Sequence, residues 1–161
     1  MAMTIRTDGL EELTRMLGSL GDKAQDVASG ALFQGAGVVA GAFSAATDSI
    51  RTERFQYAPE GSTRMPSPEE KAALIRKTGI AKFRKSGSEV NTVVGIGGKS
   101  GYAMVAGKKK AVRLIARSIN SGTSFMQKQP VYRKALNACR KDAEAAIVSK
   151  AEEMYNEIIN G

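Results

Sequence analysis

Histidine and tryptophan are absent from these 161 residues, cysteine occurs once and proline four times. With no imidazole and only Cys139, a single chain cannot assemble the common nitrogen and sulfur metal sites. The same absence leaves no imidazole to activate a nucleophile, and Cys139 falls on an apolar helical stripe, as a buried structural thiol does. One thiol also excludes an internal disulfide framework, which suits a reducing cytosol. Aromatics make up only 6% of the chain, so the core has to come from Ala, Val, Ile, Leu and Met. These bury less area per residue, which leaves room for a partner subunit to complete the burial. The N-terminus has no apolar run of the signal-peptide kind, so the expectation is a protein made and kept in the cytoplasm.

Acids are scarce in one long stretch: residues 99–141 hold eleven Lys or Arg and no Asp or Glu. The whole chain carries a formal net charge of +8. Such a balance favours DNA phosphates or an acidic neighbour, with Lys99, Lys108, Lys109, Lys110, Arg113 and Arg117 as first candidates. A solvated, solubilising segment is the equal alternative. No aromatics interleave with these cations, which argues against a single-strand stacking platform.

At 42% hydrophobic and 25% charged, the composition is that of one folded domain. Leu10, Leu13 and Leu17 follow Asp8 at helical spacing and predict a short first helix. A longer helix runs from about Asp22 to Ile50, with Val27, Ala31, Gly35, Val39 and Ala46 on one stripe. Its uncharged stretch between Asp26 and Asp48 approaches the ~20 residues of a membrane span. Gly30, Gly35, Gly37, Gly41 and Gln34 dilute it, so a buried or interfacial helix packed closely against another backbone is expected, and no membrane contact. Prolines 59, 66 and 68 mark a loop at 51–68, part of an insertion over about 51–79. Within it Ser67-Pro68-Glu69-Glu70 announces a short helix ending before Gly79.

From Ile80 the period changes to that of strands, over 80–85 and 90–96, with Ser86-Gly87-Ser88 as a hairpin turn. A glycine-rich loop follows, and 111–119 reads as a strand or a short helix. Pro130 opens a long last helix with Val131, Ala135, Ala138, Cys139, Ala146, Ile147, Met154 and Ile158 on its apolar face. The fold class is α+β: two long helices plus short ones packed on a small antiparallel β-sheet.

Two phosphate-binding patterns fail on context. Gly95-Ile96-Gly97-Gly98-Lys99-Ser100 ends as a phosphate loop does, but Val93 stands where the first glycine is required, and no later strand ends in Asp. Gly35-Ala36-Gly37 lies inside a helical pattern with no strand before it. Glu11 with Glu12, and Glu152 with Glu153, are adjacent helix acids that point apart. The expectation is that the chain is not an enzyme and uses no cofactor and no metal, although carboxylate-only magnesium or calcium sites need nothing more than Asp and Glu.

The stretch from Arg113 through Ile119-Asn120-Ser121-Gly122-Thr123-Ser124-Phe125-Met126, followed by Gln129-Pro130-Val131-Tyr132-Arg133-Lys134-Ala135-Leu136, resembles a signature of phage proteins. The family is the gene-product-ten tail component of lambdoid long-tailed phages, the neck or tail-completion family. Its members show a Gly-Thr-Ser turn and then a Pro-aromatic-Arg-Lys-Ala-Leu helix start; Tyr132 here comes one residue later than the usual Phe. Gly9-Leu10-Glu11-Glu12-Leu13 before an Ala-rich helix is also similar, so the likeness covers both ends and about two thirds of the chain. The middle departs: in place of a Pro-Val-Asp-Thr-Gly-X-Leu motif there is only Lys77-Thr78-Gly79-Ile80.

What the resemblance implies is a structural virion protein at the head-to-tail junction, assembled in the host cytoplasm as a cyclic homo-oligomer. Its partners would be head-closure or connector proteins and tail tube or terminator proteins, with DNA passing through the neck. Gly122, Thr123, Phe125, Pro130, Tyr132 and Arg133 join the basic residues as candidate interaction positions. The alternative from charge is a basic, nucleoid-associated-like DNA-binding protein, for which no recognisable binding motif is present.

Overall fold

A computed structural model of the protein describes residues 2–4, 11–53, 62–86, 89–97 and 101–161. The α+β class holds: two long helices form one layer, and short helices and antiparallel strands cover part of it.

Helix α1 (Glu11–Ser19) leads through a single 3-10 turn into α2 (Ala24–Asp48); its predicted start at Asp8 lies outside the described residues. Helix α5 (Val131–Asn160) lies antiparallel to α2 along most of its length. Small residues let the two backbones close up. A Cβ at Gly35 would collide with Ile147 and come 3.1 Å from the Ala143 carbonyl oxygen. At the other end Phe43 meets Tyr132 edge-on, with ring centroids 5.5 Å apart, and the Tyr132 hydroxyl lies 3.0 Å from Thr47 Oγ1. Thr47 Oγ1 also donates to the Phe43 carbonyl, so both buried hydroxyls are satisfied. By length and composition α2 could cross a membrane; here its stripe of Val27, Ala31, Gly35, Val39, Phe43 and Ala46 is buried. The face predicted for α5 is largely observed, with Ala143 and Ala151 buried and Ala138 exposed instead.

Helix α3 (Pro68–Lys77) starts as the sequence announces, with a full capping box: the Glu70 amide donates to Ser67 Oγ and the Ser67 amide donates to Glu70. The two strands of the first hairpin are found, but their pairing is broken, and Gly87 and Ser88 of the turn lie outside the described residues. β2 (Thr78–Ile80) pairs with β5 (Val93–Ile96), while β3 (Arg84–Ser86) pairs with β4 (Glu89–Asn91). Between the two ladders Ala81 to Arg84 takes three steps where Val93 to Asn91 takes two, a bulge held by Thr92 Oγ1 donating to the Ala81 carbonyl. A strand that sequence periodicity did not reveal, β1 (Ala2–Thr4), pairs with the other edge of β5.

Of the glycine-rich loop read at 95–101, residues 98–100 lie outside the described residues; beyond it, the lysine run forms one strand of a second hairpin. β6 (Tyr102–Val105) pairs with β7 (Lys108–Ala111) across Ala106 and Gly107, both at positive φ, 50° and 71°. Both central residues are left-handed, the geometry that matches strand twist in a two-residue turn. Of residues 111–119, Ala111 closes β7 and 112–119 resolve as helix, within α4 (Val112–Ser121).

Two buried clusters share the α2 and α5 layer. The larger gathers Phe43, Ile50, Leu74, Val94, Val105, Ile119 and Tyr132 at the end of α2; the smaller holds Val27, Ala31, Ile147 and Ala151 near its start.

Candidate interaction surface

Three constellations sit at the end of the molecule where α2 finishes. The first centres on Glu70, which the capping box buries. Arg64 grips its carboxylate with two bonds of 2.8 Å, the Ser67 amide donates at 2.9 Å, and Lys110 Nζ lies 3.1 Å from Oε1. Burial alone would push the carboxyl up, but bonds from Arg64, the Ser67 amide and Lys110 outweigh it and hold it at about 2. The same pairing raises the Arg64 guanidinium. The capping signal was legible in Ser67-Pro68-Glu69-Glu70; that Arg64 and Lys110 converge on it was not, because tertiary folding brings them there. Nearby, the Ala106 amide donates to Glu69 Oε2 at 2.6 Å, fastening the second hairpin to α3.

The second is a joint. Gly122 ends α4 at φ 76° and ψ 163°, and its amide donates to the Ser118 carbonyl. Thr123 Oγ1 accepts from the Phe125 and Met126 amides. Arg64 and Met126 form a short parallel bridge, which ties down residues 62–68 of the proline-rich segment here; its residues 54–61 lie outside the described residues. Gln129 binds the Arg51 backbone twice, at 2.9 and 3.0 Å. Lys71 Nζ caps the end of α2 through the Asp48 and Ile50 carbonyls. Pro130 precedes α5, Tyr132 is wholly buried, and the Arg133 amide donates to Asn120. Of the joint residues named from sequence, only Thr123, Phe125 and Arg133 are exposed.

The third is the basic surface. On the outer face of the second hairpin Met104 pairs across from Lys109, and Lys109 Nζ lies 4.9 Å from the centre of the Tyr102 ring. Arg113 and Arg117 project from α4 beside Leu114, and Lys108 is exposed at the start of β7. Lys110 is half-buried on the opposite face, neutralised by Glu70. Lys99 lies outside the described residues. The structure thus brings Lys108, Lys109, Arg113 and Arg117 onto the hairpin and α4, and adds Tyr102, Met104 and Leu114, about half exposed or more, which charge counting missed. Such a surface, apolar groups rimmed by cations, suits an acidic macromolecular face. Among the described residues no three His, Cys, Asp or Glu converge as metal ligands.

No protein-family model matches this chain, and comparison with curated proteins and with solved structures returns no match.

Proposed function

We propose that this protein is a structural subunit of a tailed-phage virion, sitting in the neck where tail joins head and assembling there as a ring. The observation that carries the reading is the joint. The Gly122-Thr123-Ser124-Phe125 turn and the Pro130-Val131-Tyr132 helix start, on which the resemblance to the neck family rests, are the residues that hold α4, α5 and residues 62–68 together. A sequence likeness located in the residues that define a fold supports sharing of that fold. The basic hairpin and α4 then meet an acidic face in the assembly, and DNA in the neck channel is a second acidic surface within reach of such a ring.

The test is native mass of the purified protein over a range of concentrations, alone and with head-closure and tail-terminator proteins of the same phage. A closed ring, or a monomer recruited by those partners, is the expected result. A monomer or dimer indifferent to them would overturn the proposal.

The rival, a DNA-binding protein, is favoured by one observation, the gathering of Lys108, Lys109, Arg113 and Arg117 on one hairpin and helix. It requires gel shifts with duplex DNA whose affinity falls steeply with salt as each phosphate contact releases counterions.

A further inference from the structure

The charge of this chain is divided between its two ends. Helices α2 and α5 run antiparallel for about 40 Å. The second hairpin and α4 pack where α2 finishes; the last turns of α5 pack near the start of α2, with Ile158 against the smaller cluster. From Asp142 onward the chain holds five acids and one base, the reverse of residues 99–141.

Both ends keep arrangements that an isolated subunit would be better without. Arg113 and Arg117 are like charges four apart on α4; Glu153 and Glu157 repeat the pattern on α5, where one cation, Lys150, pairs with Glu153 at 2.7 Å and only partly offsets it. Like charges at that spacing repel. In addition, the first turn of α5 holds no acid and its last turn no base. Arg133 and Lys134 stand near its positive end and Glu157 near its negative end, against the helix dipole. Each end also exposes a large apolar side chain: Leu114 at 56%, beside Arg117, and Ile159 at 58%, beside Glu152 at the edge of the acidic face. Arg113, Arg117, Glu152 and Glu157 have no ion-pair partner among the described residues.

Resting on the ring reading above, we infer that the contact between neighbouring copies joins these two ends. The basic face of Lys109, Arg113, Leu114 and Arg117 on one subunit docks on the acidic end of α5, Glu152, Glu153, Glu157 and Ile159, of the next. The occupant of the basic surface is a second copy of this chain, because the chain itself carries the surface of complementary charge, carboxylate for cation, with an exposed apolar side chain at the edge of each. Two different patches meeting make a head-to-tail contact, the kind that closes into a ring when its rotation allows. Docking places each like-charged pair opposite ions of the other sign and offsets the repulsion within each.

The experiment uses two triple variants of the full chain and reads native mass by analytical ultracentrifugation. One carries Lys109→Glu, Arg113→Glu and Arg117→Glu; the other carries Glu152→Lys, Glu153→Lys and Glu157→Lys. Each alone should associate about a hundredfold more weakly than the unaltered chain, since like charges then face each other. An equimolar mixture should recover the assembly, because each variant supplies the surface the other now needs; recovery also shows that both are folded. Should the mixture stay dissociated, a chain carrying all six changes decides: assembly upholds the contact, because exchanged charges restore it within one sequence, and a chain that stays dissociated overturns it. Rings that persist in both triple variants would overturn this contact and leave the ring reading standing. So would rings that persist while duplex DNA binding is lost in the first variant, which would make the basic face a phosphate surface. A chain monomeric at all concentrations and indifferent to its neck partners would overturn the ring reading as well.

Discussion

Glu70 offers the sharpest test of how this fold is held. Its carboxyl is held at about 2, against 4.5 when unperturbed. At 1.36 kcal/mol per pH unit the gap corresponds to about 3 kcal/mol favouring the ionised native state. A carboxyl lowered by folding contributes its full stability above the unfolded value and loses it as pH falls through the folded one. The contribution therefore fades between pH 4.5 and about 2. Glu70→Gln keeps the shape but removes the charge, and its amide turns one donor toward Arg64 or Lys110, which already donate. Urea unfolding followed by far-ultraviolet circular dichroism at pH 7 should show a loss of about 3 kcal/mol, with a melting point lower by about 6 to 12 °C for a chain of this length. At pH 2 the difference between variant and parent should fall below about 1 kcal/mol. A loss below about 1 kcal/mol at pH 7, or one that persists undiminished at pH 2, would refute the reasoning.

Four further substitutions probe the helix pair and the joint. Gly35→Ala should cost about 1 to 3 kcal/mol despite the better helix propensity of Ala, because its Cβ meets Ile147. Gly37→Ala, two residues along the same helix and facing open space, should gain up to about 1 kcal/mol in the same denaturation assay. Tyr132→Phe should cost about 1 kcal/mol, a modest loss because Thr47 keeps its bond to the Phe43 carbonyl. Gly122→Ala should cost about 2 to 4 kcal/mol by thermal unfolding, since φ 76° with ψ 163° is a region nearly confined to glycine and a Cβ there would sit 2.9 Å from that of Lys128.

The long elements were legible because each buries one helical stripe, and 3.6-residue periodicity survives in Val27, Ala31, Val39 and Ala46 as in Cys139, Ile147 and Ile158. The capping box of α3 was legible because its two partners lie three residues apart. The second hairpin was not. Its strand Lys108-Lys109-Lys110-Ala111 shows no apolar alternation, and its inward lysine is accommodated only because Glu70, forty residues earlier, awaits it. Its turn carries Ala106 where Asn, Asp or Gly would have announced a left-handed residue. Strand β1 was missed for a similar reason. Three residues are too few to show a period, and pairing with β5 assigns them. Of the candidate site residues, charge counting found the cations but could not sort the half-buried Lys110 from the exposed Lys109, a difference set by strand alternation.

Fold and partnership are thus carried by different residues. Gly122, Thr123, Pro130 and Tyr132 act inside the subunit: they end one helix, turn the chain and seat the next against Phe43 and Thr47. Altering them should lower stability first, and any loss of assembly would follow from that. Lys109, Arg113 and Arg117 touch little of their own subunit beyond the Tyr102 ring under Lys109, so reversing them should leave the melting temperature within a degree or two while changing whatever they bind. The same holds for Glu152 and Glu157, which make no ion pair of their own among the described residues. A variant series that separates these two groups, stability against assembly, distinguishes a likeness of fold from a likeness of function, because only the second group can report on a neighbour.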